Sequence, residues 1–285
     1  MIGVFDSGFG GLGVLAHLRA AHPRRDFVYL GDSGRAPYGG RDENTILDFS
    51  EQAMERLFEE GCRLIVVACH TVSCVALRHL QQRYCPADGD RRILGVTIPG
   101  AEAAVAAAGP GGRIGVLATA RTVASGTWIT EIHKLDPGIQ VFQAAAPLLA
   151  PLVEEGWEDA ATATPIVRRY LERLPDVDAL VLGCTHYPFL APIFRDLLPG
   201  CAVVDPAPTV AARLGDWLAR HPTFDAPGTG ALRVMCTGDP SSFARHGVRF
   251  LGAPLPAIEA VAESGGRLAP ATPGSAPRGQ VVRQR

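Results

Sequence analysis

Lysine is almost missing from this 285-residue sequence: of 27 basic residues, 26 are arginine and a single one, Lys134, is lysine. An enzyme that forms a Schiff base would have to use that residue or the amino terminus. A charge bias is missing too. The 27 basic and 29 acidic residues leave a formal net charge of −2, which gives no bulk electrostatic reason to bind nucleic acid or an anionic membrane. No apolar stretch reaches the length of a membrane span, because the run from Ile93 is broken by Glu102 and the next by Arg113. Met1 leads directly into Ile2-Gly3-Val4-Phe5-Asp6 with no basic region ahead, unlike a secretory signal. The seven cysteines are odd in number and spread through a chain large enough to bury its own core, so a disulfide framework is not expected. The expectation is a soluble cytoplasmic protein with reduced thiols, no nucleic-acid partner and no membrane partner; a homodimer is left open.

What is present is an ordinary globular composition, 47% hydrophobic and 20% charged, of a length that suggests roughly two domains. The 32 glycines and 23 prolines suggest many tight strand-to-helix turns. Short, apolar, often β-branched segments read as buried parallel strands: 2–5, 27–30, 64–68, 93–96, 114–118, 139–142, 179–182, 202–204 and 232–235. Between them, Glu43–Glu60, Thr122–Leu135, Asp159–Leu174, Pro188–Leu197 and Pro208–Arg220 carry apolar residues near helical spacing. Alternating strand and helix implies an α/β fold with mainly parallel sheets flanked by helices. The stretch 263–285, rich in Gly, Pro, Ala and Arg without periodicity, reads as a disordered tail.

A weak internal repeat accompanies this pattern. Ile2-Gly3-Val4-Phe5 is echoed by Ile114-Gly115-Val116-Leu117, and Ile65-Val66-Val67-Ala68-Cys69-His70-Thr71 by Leu180-Val181-Leu182-Gly183-Cys184-Thr185-His186, at offsets of 112 and 115 residues. Two similar α/β halves follow, each with one cysteine at a strand end. In open parallel sheets ligands collect beyond the carboxyl ends of strands. Four such ends are polar or glycine-rich here: Asp6-Ser7-Gly8-Phe9-Gly10-Gly11, Gly31–Arg41, Cys69-His70-Thr71 and Cys184-Thr185-His186. The first lacks the acidic follower of a dinucleotide site. Cys62, Cys74, Cys85, Cys201 and Cys236 suit inert core positions. Cys69 and Cys184 differ, since each is expected where a helix begins and partial positive charge favours thiolate. His186 lies beside Cys184 as a donor or acceptor. Thr119 and Thr122 could add hydroxyl donors; Glu154 is a candidate polar helper or, equally, a solvated helix residue.

Two thiols facing one ligand suggest a specific chemistry. One thiolate removes a proton from carbon and the opposite thiol returns one on the other face, inverting a stereocentre with no cofactor. The near absence of lysine fits, because a pyridoxal phosphate racemase needs one. Lys134 itself falls in a helical pattern, where a solvated face is the easier assignment.

These residues resemble the glutamate racemase family. The resemblance is carried by Phe5-Asp6-Ser7-Gly8 with Gly10-Gly11, Gly31-Asp32 through Ala36-Pro37-Tyr38-Gly39, Val67-Ala68-Cys69 with Thr71, Pro147 through Glu154, and Leu182-Gly183-Cys184-Thr185-His186-Tyr187-Pro188. Thr237-Gly238-Asp239-Pro240 with Phe243, followed by Phe250-Leu251-Gly252, resembles the family's last strand. The match runs in order from about Met1 to Gly252. It implies a cofactor-independent, metal-free two-base racemase that interconverts L- and D-glutamate and supplies D-glutamate for peptidoglycan. Cys69 would deprotonate D-glutamate and Cys184 L-glutamate. Asp6 and Ser7 would bind the amino-acid head and assist the first thiol, and Tyr38 and Gly39 would hold a carboxylate. His70, Thr71 and Thr185 would bind substrate; His186 would bind it and assist the second thiol. The implied organisation is one α/β domain of 1–98 with 207–262 and a second of 99–206, with the active site in the cleft between them.

Three departures from the family pattern stand out: His70 where Asn is usual, Ser33-Gly34 where Thr-Ala usually follows Asp32, and Pro206 where a small polar residue is common. An imidazole offers one donor and one acceptor as an amide does, but it is larger and can become charged. Position 70 therefore leaves open a racemase acting on aspartate or another amino acid. Two further readings remain. Cys69, His70, Cys184 and His186 are soft ligands that could converge on zinc, although an adjacent Cys-His pair is poor ligand spacing. A non-catalytic amino-acid-binding module could use the same scaffold.

Overall fold

The computed structural model describes residues 1–87 and 89–271. The first stretch runs β1 Ile2–Asp6, α1 Leu12–Ala21, β2 Phe27–Gly31, α2 Glu43–Glu59, β3 Leu64–Val67, α3 His70–Val75, α4 Leu77–Tyr84 and β4 Arg92–Gly95. It continues as α5 Thr97–Ala108, β5 Arg113–Ala118, α6 Ala120–Ser125, α7 Thr127–Leu135, β6 Gln140–Ala145, α8 Leu149–Glu154, α9 Ala160–Leu171, β7 Ala179–Gly183, α10 Ala191–Leu197 and β8 Ala202–Val204. The last part is α11 Pro206–Arg220, β9 Leu232–Cys236, α12 Pro240–Leu251, β10 Ile258–Ser264 and β11 Arg267–Pro270.

These strands form two sheets. One has the order β11-β10-β9-β2-β1-β3-β4 and the other β6-β5-β7-β8. All pairings are parallel except the β10–β11 hairpin. The run β2-β1-β3-β4 and the second sheet β6-β5-β7-β8 share one topology, so the internal repeat is real in three dimensions. β1 and β5 are the equivalent central strands. β3 and β7 are their equivalent neighbours, and a cysteine follows each by one or two residues. β1, β2, β3 and β7 are buried along their whole length, which is why they read as unbroken apolar runs rather than alternating ones. One apolar cluster, from Leu15 and Leu18 of α1 to Tyr187, Leu190 and Phe194, joins the faces of both sheets. It holds the two sets of strand ends against one another.

Several expectations are corrected. Helix 122–135 is two helices, because Gly126 takes the left-handed conformation at φ 65° and ends α6. The helix expected from Pro188 begins as a 3₁₀ turn over Tyr187–Leu190 before α10. The segment compared with the family's last strand is mostly helix α12, capped by the Asp239 carboxylate, which accepts from Ser242 N. The expected disordered tail starts too early: residues 263–270 lie in the β10–β11 hairpin, with Val261 and Leu268 buried against the core beneath α2. Of residues 263–270 only Leu268 is buried, so the hairpin leaves little apolar pattern in the sequence. The rest of that expectation, 272–285, lies outside the described residues. Among the described residues no helix is long and apolar enough to cross a membrane.

Candidate active site

The carboxyl ends of β1, β3, β5 and β7 meet around one cavity of about 50 Å³, lined by Ser7, Gly8, Ala36, Pro37, Tyr38, Gly39, Cys69, His70, Thr71, Thr119, Ala150, Glu154, Cys184, Thr185 and His186. Cys69 and Cys184 are 5% and 8% exposed and both face this one space, although 115 residues separate them. Asp6 and Thr122 are close by but do not line the cavity.

Around Cys69 the residues are arranged to keep a neutral sulfur. Its Sγ donates to Ser7 Oγ at 3.4 Å. Burial pushes its thiol up to about 12, and the nearby Asp6 charge adds to this, outweighing the Ser7 hydrogen bond and the start of α3. The expected thiolate-favouring helix start is therefore corrected: α3 has six residues, and its partial charge loses to desolvation. Asp6 is buried and its carboxyl is likewise raised, chiefly by desolvation. Its Oδ2 accepts from Gly8 N at 3.0 Å, while Oδ1 has no partner.

Around Cys184 the partners are an imidazole and a carboxylate. Its Sγ is 3.7 Å from His186 Nδ1, and His186 Nε2 is 2.8 Å from Glu154 Oε1. Burial alone would lower the imidazole, but the partners Cys184 and Glu154 prevail and hold it up to about 10. At neutral pH His186 is thus a cation that donates from both ring nitrogens, one toward sulfur and one to a carboxylate. Cys184 also departs from expectation, since a 3₁₀ turn rather than an α-helix follows it. Here the imidazolium, not a helix terminus, supplies the positive charge. Glu154 resolves as a partner of His186 at the end of α8, with 41% of its side chain exposed.

The remaining expected residues form the walls. Thr71, Thr119 and Thr122 make a triangle of hydroxyls at 3.0, 2.9 and 3.3 Å, with Thr122 buried behind the two that reach the cavity. Thr119 caps α6 by accepting from Thr122 N. Gly39 lies against Thr119, and a Cβ there would come within 2.7 Å of it. Gly10 is tighter still, since a Cβ would lie 2.3 Å from Thr185 Oγ1 and 2.6 Å from the His186 ring. His70 is 4% exposed and packs its ring on Trp128, centroids 5.9 Å apart. Burial drives its imidazole down to about 3, so it is neutral. Its Nδ1 has no protein partner. Lys134 pairs with Glu131 on the surface, as expected of a solvated face. Among the described residues no three His, Cys, Asp or Glu side chains are grouped as a metal site requires.

Sequence reasoning missed the hub beneath Tyr38. The Tyr38 hydroxyl donates to the Asp32 carboxylate, which also accepts from Arg35 Nε at 2.8 Å and Thr237 Oγ1 at 2.6 Å. Asp32 is fully buried. The signal was available: Asp32 directly follows β2, as Asp6 ends β1, and an acid at a buried strand end needs partners. It also missed Phe9, whose ring packs against His186 at 6.0 Å. A larger cavity of about 360 Å³ shares His70, Cys184 and Thr185 with the first and extends to Phe250 and Asp205.

The profile of the Asp/Glu/Hydantoin racemase family matches residues 14–214. A glutamate racemase from a Nostoc species is 38% identical over 263 residues, covering 91% of this chain and 87% of that protein. Among solved structures, glutamate racemase isoform RacE1 from Bacillus anthracis superposes with a TM-score of 0.85 at 34% identity, covering 92% of this chain and 97% of that one. Glutamate racemase from Francisella tularensis, solved in complex with D-glutamate, gives 0.83 at 29% identity over the same shares.

Proposed function

The chain belongs to the Asp/Glu/hydantoin racemase family, and from that premise we propose that it interconverts L- and D-glutamate with its two cavity thiols and no cofactor. The observation that carries the reading is that Cys69 and Cys184, at equivalent ends of two equivalent sheets, line one small cavity. Relatives of this length and similarity carry the glutamate racemase name, which supports glutamate as substrate.

The chemistry follows from the asymmetry of the two thiols. In L-to-D turnover Cys184, with the His186 donor aimed at its sulfur, takes the α-proton. Cys69, held as a thiol, returns a proton to the opposite face. The D-to-L direction runs the same transfers in reverse. A substrate ammonium beside Cys69 and Asp6 would offset the desolvation that raises both acids. Thr71, Thr119, Thr185 and the Tyr38–Gly39 backbone supply neutral donors for substrate carboxylates. His70, neutral and buried, adds one imidazole N–H or lone pair without a charge. Both thiols are less than a tenth exposed, and that low exposure strengthens each of these interactions. The enantiomers have equal energy, so kcat/KM must be the same in both directions, and damage to either thiol must lower both equally. Supply of D-glutamate to peptidoglycan in the cytoplasm is the role we propose for the activity.

The test is racemisation by purified protein with no added cofactor, followed by loss of circular dichroism from L-glutamate, D-glutamate and L-aspartate, together with Cys69→Ser and Cys184→Ser. Turnover on both glutamates, lost in each variant, is expected. Aspartate turned over as fast as glutamate contradicts the substrate, and full activity in Cys184→Ser contradicts the mechanism.

A further inference from the structure

We propose that α12 is an inter-sheet latch in which Arg249 positions the Glu154–His186 pair. α12 belongs to the crossover between β9 and β10 of the seven-stranded sheet, whereas α8 and His186 belong to the four-stranded half. Arg249 Nη1 donates to the Val153 carbonyl at 3.2 Å, and Nη2 donates to the Glu158 carboxylate. Val153 immediately precedes Glu154 in the last turn of α8, and its carbonyl accepts from Gly156 N at 3.1 Å as well as from Arg249. The guanidinium also lies 5.5 Å over the Phe189 ring. One fork therefore fixes the end of α8 from across the sheet boundary.

Two neighbours on the same face of α12 act on the other end of the pair. Phe250 meets the His186 ring edge-on at 5.1 Å. His246 stacks on Phe9 at 5.2 Å, and Phe9 in turn packs on His186. Positions 246, 249 and 250 are i, i+3 and i+4, which is one face of a helix. Glu154 has 41% of its side chain exposed, so its bond to His186 and the placement of α8 are what orient it. The charged and titratable groups facing His186 are Cys184, Glu154 and Asp6, with His246 behind Phe9. Phe9 and Phe250 reach His186 by ring contacts, whereas Arg249 ties the two halves together by hydrogen bonds at the Glu154 end of the pair. It touches no reacting atom in this reading and is a positioning residue, not a catalytic one.

The inference rests on the proposed function only for its kinetic consequence, so the experiment has an arm independent of turnover. The imidazole of His186 is titrated by NMR in protein with isotope-labelled histidine, the resonance assigned by its loss in His186→Gln. In Arg249→Met, which keeps the apolar stem, the His186 midpoint is expected to fall by about one unit as Glu154 is released. kcat/KM for glutamate is expected to fall about tenfold, with the alkaline limb of its pH profile moving the same way. Arg249→Lys, which keeps the charge but not the fork, is expected between Met and wild type. Glu158→Gln, which leaves the Val153 bond, is expected near wild type. A lower Tm with an unmoved His186 midpoint overturns the proposal. Should Arg249→Met not fold, a wild-type midpoint in Arg249→Lys overturns it equally. If the wild type does not racemise glutamate, the function fails while the titration still decides the latch.

Discussion

Replacing His70 by asparagine should remove a specific part of the protein's acid sensitivity. His70 is 4% exposed, rests on the Trp128 ring and has its imidazole driven by burial from 6.5 down to about 3. Between these two values the unfolded chain binds a proton at this residue and the folded protein does not. The stabilising contribution is therefore complete above pH 6.5 and is lost as pH falls toward 3. Within that window the slope is about 1.4 kcal/mol per pH unit. From pH 6.5 to pH 5, well above the folded value, it amounts to about 2 kcal/mol. The assay is urea unfolding of wild type and His70→Asn at pH 7, 6 and 5, read as the change in their difference. An asparagine does not titrate, so wild type should lose about 2 kcal/mol more than the variant over this range, whatever their offset at pH 7. Parallel losses would refute the reasoning, because they would mean that His70 can take up a proton in the folded state.

Other consequences follow from single contacts. Gly10→Ala places a Cβ 2.3 Å from Thr185 Oγ1 and against the His186 ring, and should lower kcat/KM at least about tenfold. Gly40→Ala, with nothing within 4 Å of its Cβ, should leave it unchanged; steady-state racemisation compares the two. Asp32→Asn strips the buried carboxylate from Arg35, Tyr38 and Thr237. It should destabilise by about 3 kcal/mol and raise KM through loss of the Tyr38–Gly39 wall, checked by urea unfolding and kinetics.

The strands were largely legible because fully buried parallel strands are unbroken apolar runs, as Leu64–Val67 and Ala179–Gly183 are, while their order within each sheet was not. The repeat was legible for the same reason that the site is built twice: equivalent strands end in Cys69 and Cys184. What the sequence concealed lies in long-range electrostatics. A cysteine at the start of a helix looks activated on paper, yet burial and Asp6 make Cys69 a firm thiol. Cys184 is served instead by His186, whose adjacency the sequence shows, and by Glu154 thirty residues earlier, a candidate helper whose bond to His186 it does not show. Composition misled at the end of the described chain, where Gly265 and Gly266 make the turn of a hairpin rather than mark disorder. Asp32 was in view but not its burden, since Thr237, one of its partners, is 205 residues away.

The central claim is that two thiols work on opposite faces of one carbon. It is tested most directly by starting the wild-type protein on unlabelled L-glutamate in heavy water and stopping at a few per cent conversion. Proton removal by Cys184 and delivery by Cys69 predict deuterium at the α-carbon of the D-glutamate formed and almost none in the remaining L-glutamate. Equal labelling of both enantiomers at that stage would mean that one base serves both faces, and would contradict the account.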